Sequence, residues 1–188
     1  DGDGDVDVLS ASFRDDTVAW YENDGNGSFT PHAISTSADG AMFVYTADLD
    51  HDGDVDVVAS CVNSGQVEWY ENDGSEGFTT RLVSSAWLYH PQSVHVSDVD
   101  GDGDPDVLAA VYYGDRVKWF ENDGSGHFTD RDVGFADAAR FVRAADLDAD
   151  GDMDVVSAGN DDRILWHEND GAQGFTSRVV SSTADGVV

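Results

Sequence analysis

Apolar residues along this chain come in short runs closed by Gly, Asn, Asp or Ser, and no stretch of ten residues carries the spacing of an amphipathic helix. Between residues 42 and 83 four such runs follow one another: a over 42–47, b over 55–60, c over 66–71 and d over 78–83. An Asp-rich loop separates a from b, a Ser-Gly turn separates b from c, and Asn72-Asp73-Gly74 separates c from d. The whole pattern recurs about every 47 to 50 residues, with copies opening at Asp48, Asp98 and Asp146 and a first copy that enters late. Each copy predicts four short antiparallel strands, and the repeats fall at about 1–40, 41–90, 91–138 and 139–188.

Run c fixes how these sheets must pack. It places a large aromatic directly before a second large group in every copy, as Trp20-Tyr21, Trp69-Tyr70, Trp119-Phe120 and Trp166-His167. Successive strand residues point to opposite faces, so both faces of the sheet are apolar there, whereas the outer sheet of a sandwich needs one polar face. Sheets repeated at this period and buried on both sides are the blades of a β-propeller. The expected fold class is therefore all-β, with four four-stranded antiparallel blades forming part of a larger or assembled propeller. The four Trp residues are read as packing between blades rather than as a sugar-stacking row.

The loop after run a carries the candidate chemistry. In the second copy acids stand at positions 1, 3, 5, 7 and 9, as Asp48, Asp50, Asp52, Asp54 and Asp56, with Gly53 at position 6. Side chains two apart on an extended stretch point the same way, and the glycine permits a sharp turn that returns position 9 to the others. Such carboxylates repel one another unless a hard cation with six to eight oxygen ligands sits among them, and calcium fits best. Side-chain ligation is expected from Asp48, Asp50, Asp52 and Asp56, with the backbone carbonyl of Asp54 and a water completing the shell. The same roles fall to Asp98, Asp100, Asp102 and Asp106 with Asp104, and to Asp146, Asp148, Asp150 and Asp154 with Asp152. The first copy keeps Asp1, Asp3, Asp5 and Asp7 but lacks position 1, so weaker occupancy is expected there. Magnesium prefers a small rigid octahedron, and zinc asks for His or Cys, which the loops do not supply as a set. An EF-hand loop needs an acid at position 12, where this chain has Ala59, Ala109 and Ser157.

The segment DLDHDGDVD resembles the DxDxDGxxD hairpin loop of FG-GAP repeats, as in the propeller of integrin α subunits. The continuation VAWYENDGNGSFT, matched by VKWFENDGSGHFT, is similar to the bacterial VCBS-type repeats, and the likeness spans essentially the whole chain. The resemblance implies a secreted or surface-exposed propeller, often one module of a large protein, with calcium in the a-to-b loop. It also implies adhesion or ligand binding as a class, without naming a ligand. His167 in place of the usual aromatic and the scarcity of FG and GAP signatures are departures from the pattern.

Charge narrows the partners. Against 39 Asp and Glu the chain has 9 Lys and Arg, a formal net charge of −30 over 188 residues, which repels nucleic acid and anionic membrane surfaces. No nucleic-acid partner and no membrane insertion are expected; there is no apolar run of 18 residues. The single Cys61 excludes a disulfide framework and reads as a small buried apolar residue. Weak calcium sites fill at millimolar and not at cytosolic calcium, which agrees with an extracellular location. The chain opens at the third position of a loop and stops about seven residues before the next loop is due, so it is expected to be an excerpt of a longer protein. If the ends are native, residues 185–188 would begin an a strand for the first copy.

The variable loops, d-to-a and b-to-c, share the end opposite the Asp loops, where binding residues commonly sit. Trp87, Tyr89 and His90 occupy one such loop and Tyr112 and Tyr113 the adjacent one, a candidate ligand or assembly surface. The ENDG segments, with Glu22, Glu71, Glu121 and Glu168, are read as c-to-d turns in which Asn-Asp-Gly supplies positive φ. Asn26-Gly27-Ser28 fits a glycosylation sequon. No nucleophile and base recur, so no catalytic residue is assigned and the chain is not expected to be an enzyme. Three functions follow: adhesion or recognition of a protein or glycan, a self-assembling structural subunit of a fibre, and a lectin-like accessory domain of a polysaccharide-active enzyme.

Overall fold

The computed structural model describes residues 2–184, so Asp1 and the strand expected from residues 185–188 lie outside the described residues. Fifteen strands form four antiparallel sheets, and among the described residues there is no helix. The first sheet holds β1 (Val8–Ser12), β2 (Thr17–Asn23) and β3 (Phe29–Ser35). The second holds β4 (Ala41–Ala47), β5 (Asp56–Cys61), β6 (Gln66–Asn72) and β7 (Phe78–Leu82). The third runs β8 (Pro91–Ser97), β9 (Asp106–Val111), β10 (Arg116–Asn122), β11 (Phe128–Phe135). The fourth runs β12 (Ala139–Ala145), β13 (Asp154–Gly159), β14 (Ile164–Asn169), β15 (Phe175–Ser181). Every sheet is a meander in chain order. The expectation of four strands holds for three sheets; the first has three, because its chain enters at the loop that precedes run b.

Apolar faces meet between consecutive sheets. Trp69, Val58 and Leu49 of the second pack with Val107, Ala109 and Phe120 of the third. Trp119 and Leu108 of the third pack with Val142, Val155 and Leu165 of the fourth. Cys61, raised well above the ordinary thiol range by burial, lies in the layer between the first and second sheets with Val18, Val57 and Tyr70. The inner strands β4, β8 and β12 pack on one another. Phe43 of β4 meets Phe141 of β12 edge-on at 6.4 Å, Tyr45 meets His95 at 4.9 Å, and the Arg143 guanidinium covers the rings of Phe141, Phe43 and Tyr45. The sheets thus fan out from their first strands, as in a propeller.

Two faces of the stack remain open. Val8 is 49% exposed where its counterparts Val57 and Val107 are buried, and Leu147 is 49% exposed where Leu49 and Val99 are buried. The difference is the presence of a neighbouring sheet.

Candidate metal centres and an aromatic face

Each Asp loop leads into the b strand of its sheet, and in the last three sheets it does so from the inner strand, for example β4 to β5, at one end of the sheets. Three of these loops bring carboxylates together. Asp48, Asp50 and Asp56 each offer an oxygen, all within 4.8 Å of one another; so do Asp98, Asp100 and Asp106, and Asp146, Asp148 and Asp154. These are positions 1, 3 and 9. Position 9 is the anchor: Asp56 is fully buried, with Oδ2 accepting the Leu49 N–H at 3.0 Å and Oδ1 the Asn72 N–H at 2.9 Å. Asp106 and Asp154 repeat both bonds, so this residue ties its loop to the end of the c strand while facing the cluster. Position 1 accepts the N–H of the position-6 glycine, at 3.1 Å for Asp48 and 3.0 Å for Asp98. That glycine takes φ near +100° (Gly53 +97°, Gly103 +98°, Gly151 +102°), where a side chain is strained, so the turn requires it.

Position 5 behaves differently from the expectation of direct ligation. Asp52, Asp102 and Asp150 each accept the N–H two residues on, at 2.9 to 3.0 Å, and are not among the converging oxygens. Position 7 turns its side chain to the ENDG turn: a Cβ on Gly74 would lie 2.4 Å from Asp54 Oδ2, and one on Gly124 or Gly171 would lie 2.7 or 2.4 Å from Asp104 or Asp152. Only glycine fits there, and the position-7 carboxylate is not part of the cluster. In the first copy Asp3 accepts the Asp5 N–H at 2.8 Å, Asp7 accepts the Asn23 N–H at 2.8 Å, and Asp5 lies against Gly25. No comparable trio is seen there among the described residues, which exclude Asp1.

The electrostatics of these clusters suit a cation. Burial, joined by the charge of Asp52, pushes the Asp50 carboxyl up, and burial with Asp102 does the same to Asp100. Burial alone dominates at Asp106, whose carboxyl is pushed up to about 7. Asp48 Oδ1 and Asp50 Oδ1 are buried without a hydrogen-bond partner. Buried acceptors without donors are costly unless something positive completes them. A hard divalent ion with oxygen ligands matches an all-carboxylate donor set of this kind. Just beyond lies the ENDG glutamate, held by an arginine of strand d: Arg81 on Glu71, Arg131 on Glu121 at 2.5 Å, Arg178 on Glu168. A cavity of about 500 Å³ opens beside the first loop, between the first and second sheets, lined by Asp5, Asp7, Trp20, Asp54 and Glu76 among others.

Sequence reasoning missed the asparagine of ENDG. Of that triplet only the glycine has positive φ, which corrects the expected role of Asn and Asp. The Asn122 side chain instead donates to Leu49 O of the preceding repeat at 2.7 Å and to Pro105 O at 3.0 Å; Asn169 does the same to Val99 O and Met153 O. Its recurrence in all four copies was the available signal. His51 of the second loop places its Nε2 2.9 Å from Asp104 Oδ1 in the next loop.

At the other end of the sheets the aromatic residues do gather. His90 packs on Tyr112 and Tyr113, with centroids 5.9 and 4.9 Å away, and the Tyr113 N–H donates to Tyr89 O at 3.0 Å. Asn160 Nδ2 donates to the Tyr112 hydroxyl at 2.6 Å and the Arg140 guanidinium covers that ring. Tyr89 and Tyr113 are 63% and 69% exposed. Trp87, also exposed, rests instead on Gly65. Asn26 is exposed in its turn. His167 is wholly buried between the hydroxyls of Ser157 and Ser177, each at 2.8 Å, a serine and histidine pair closed to solvent.

No curated protein sequence matches the chain. Among solved structures it is similar to an Agrocybe aegerita lectin described as recognising non-reducing terminal N-acetylglucosamine, at 22% identity and a TM-score of 0.64 over 98% of this chain and 50% of that one. It is similar to a Bacteroides uniformis protein of proposed 6-phosphogluconolactonase activity, at 16% identity and TM-score 0.63 over 95% of this chain and 53% of that one. It also resembles the V. cholerae biofilm matrix protein Bap1, at 20% identity and TM-score 0.51 over 93% of this chain and 28% of that one. The chain thus spans about half the length of the first two, and at these identities the likeness concerns the propeller-like fold. The family model described as FG-GAP-like repeat matches three times, over residues 1–59, 56–109 and 98–157. The chain belongs to the FG-GAP-like repeat family.

Proposed function

We propose that this chain is a calcium-stabilised, extracellular recognition module with no catalytic role. The carrying observation is the triple recurrence of converging carboxylates at positions 1, 3 and 9, two of whose buried oxygens lack any donor. Asp48, Asp50 and Asp56 would hold calcium in the second loop, with their counterparts in the third and fourth, and Asp52, Asp102 and Asp150 joining directly or through water. The ion supplies charge neutralisation; the residues supply a turn already tied to the b and c strands. Free calcium at tenfold the dissociation constant adds about 1.4 kcal/mol per site, which three sites make substantial for a domain of marginal stability. Sites of this affinity fill outside cells, and this supports the extracellular assignment.

Recognition is assigned to the opposite end, where exposed Tyr89 and Tyr113 lie beside Tyr112, whose hydroxyl and ring are engaged by Asn160 and Arg140. Aromatic faces flanked by hydrogen-bonding groups suit a glycan or a protein loop, and the similarity to a lectin that recognises N-acetylglucosamine favours the glycan. Calorimetric titration with calcium, with melting in calcium and in EDTA, tests the metal reading; no heat and no shift would end it. A glycan array probed with wild type and Tyr113→Ala tests the surface, and equal signals from both would remove it. A second reading, a subunit of a larger surface assembly, is favoured by the similarity to a biofilm matrix protein. Discrete particles in electron micrographs would exclude it.

A further inference from the structure

The third Asp loop differs from the others in being gripped by the neighbouring sheet. Gln173, in the turn between β14 and β15, reaches across the seam, and its Nε2 donates to Asp100 Oδ2 at 3.2 Å and to Glu121 Oε1 at 3.1 Å. Glu121 is in turn held through Oε2 by Arg131, whose guanidinium lies over Trp119. On the other flank of the same loop His51 of the second loop reaches Asp104. The equivalent of Gln173 facing the second loop is Gly126, which has no side chain and against which the Trp69 ring is packed. The first loop is faced by Glu76 at that position, an acceptor without a donor to offer. Gln173 holds φ at +67°, a conformation that glycine adopts at Gly27 and Gly126.

We infer that Gln173 is a positioning residue for the cation of the third loop, and that a cation bound there couples the third sheet to the fourth. This rests on the calcium reading of the loops. Three carboxylates brought together without a metal repel one another; backbone N–H groups hold both oxygens of Asp98 and of Asp106, which leaves Asp100, with one loop N–H at 3.4 Å, the freest to turn away. A donor from outside the loop that holds Oδ2 of Asp100 fixes the carboxylate plane, and Oδ1, which accepts the Asp102 N–H at 3.4 Å, keeps a lone pair for the ion. It also screens Asp100 from Glu121 by bonding both. Partners outside the ligand set commonly change metal affinity by about tenfold or more when removed. The third loop is therefore the tightest of the three clusters.

The test uses the full chain with the other loops disabled at position 3 by Asp1→Asn, Asp50→Asn and Asp148→Asn, and calcium alone as the probe. Adding Gln173→Ala weakens the remaining site by about tenfold in calorimetry. Adding Gln173→Glu weakens it as well, since the donor becomes a third negative charge beside Asp100 and Glu121. Calcium slows amide exchange along β15 in the parent and not in Gln173→Ala. Equal affinity in the Ala variant, or a gain in the Glu variant, overturns the inference while leaving calcium in the loops. Absence of calcium binding by the unmodified chain overturns both. Circular dichroism and a melting curve of each variant confirm folding, and in the otherwise unmodified chain Gln173→Ala must reduce the calcium-induced melting shift.

Discussion

The indole of Trp69 meets the phenyl ring of Phe128 edge-on, with centroids 6.2 Å apart, across the seam between the second and third sheets. Trp119 and Phe175 repeat the contact across the next seam at 6.1 Å. Trp69 is 2% exposed, so Trp69→Ala empties a volume that two sheets were holding between them. A loss of about 3–5 kcal/mol is expected in urea unfolding. Tyr113→Ala, at a mostly exposed ring, should stay within about 0.5 kcal/mol in the same assay.

Asn122 and Asn72 occupy the same repeat position in different surroundings. Asn122 is buried and donates to the carbonyls of Leu49 and Pro105, whereas the half-buried Asn72 side chain donates only to Val55 O of its own repeat. Asn122→Ala leaves a buried carbonyl without its donor and should cost about 1–3 kcal/mol; Asn72→Ala should cost less than about 1 kcal/mol. Thermal melts of the two variants side by side check the order.

Two buried histidines set an acid limit. His167 is pushed down to about 4 by burial, and His95 to about 4 by burial and then by the charge of Arg143. Unfolded histidine titrates near 6.5, so the unfolded chain takes up these protons first. Stability is full above about pH 6.5 and falls as the pH drops towards 4, by up to ~3 kcal/mol for each. His167→Phe, with the residue type of Phe120, should flatten its share of the slope. Urea midpoints of variant and wild type at pH 7 and pH 5 give the difference, and parallel changes would rule out His167 as a source.

Asp106 acts in the opposite sense in calcium-free protein. Its carboxyl titrates at about 7 when folded and near 4 when unfolded, so its contribution is complete below pH 4 and is lost as the pH rises through 7. Calcium requires the charged form. The melting shift produced by calcium should accordingly be larger at pH 7.5 than at pH 5.5, and calcium uptake near neutral pH should release protons. A shift independent of pH would show that Asp106 is not linked to the ion.

Much of the fold was legible. Run c, apolar on both faces at Trp69-Tyr70 and Trp119-Phe120, required covered sheets, and the observed strands match runs a to d within a residue or two. The alternation of acids predicted a cluster, and positions 1, 3 and 9 converge. Position 5 was assigned with them because alternation alone gives it the same face, yet the turn at positions 4 to 6 directs Asp52 to the Asp54 N–H. Local periodicity describes an extended chain and fails where the chain reverses.

The sequence by itself determined the repeat, the strands, the turn glycine and the acidic set, because each rests on contacts between residues near one another in the chain. The tertiary structure decided which loop is gripped from outside, through His51 on Asp104 and Gln173 on Asp100. It also decided that Asn122 anchors to Leu49 and that the aromatic residues of two loops form one face. Those pairings join residues of different repeats, and they depend on the angle and spacing at which buried sheet faces pack, which no single repeat encodes.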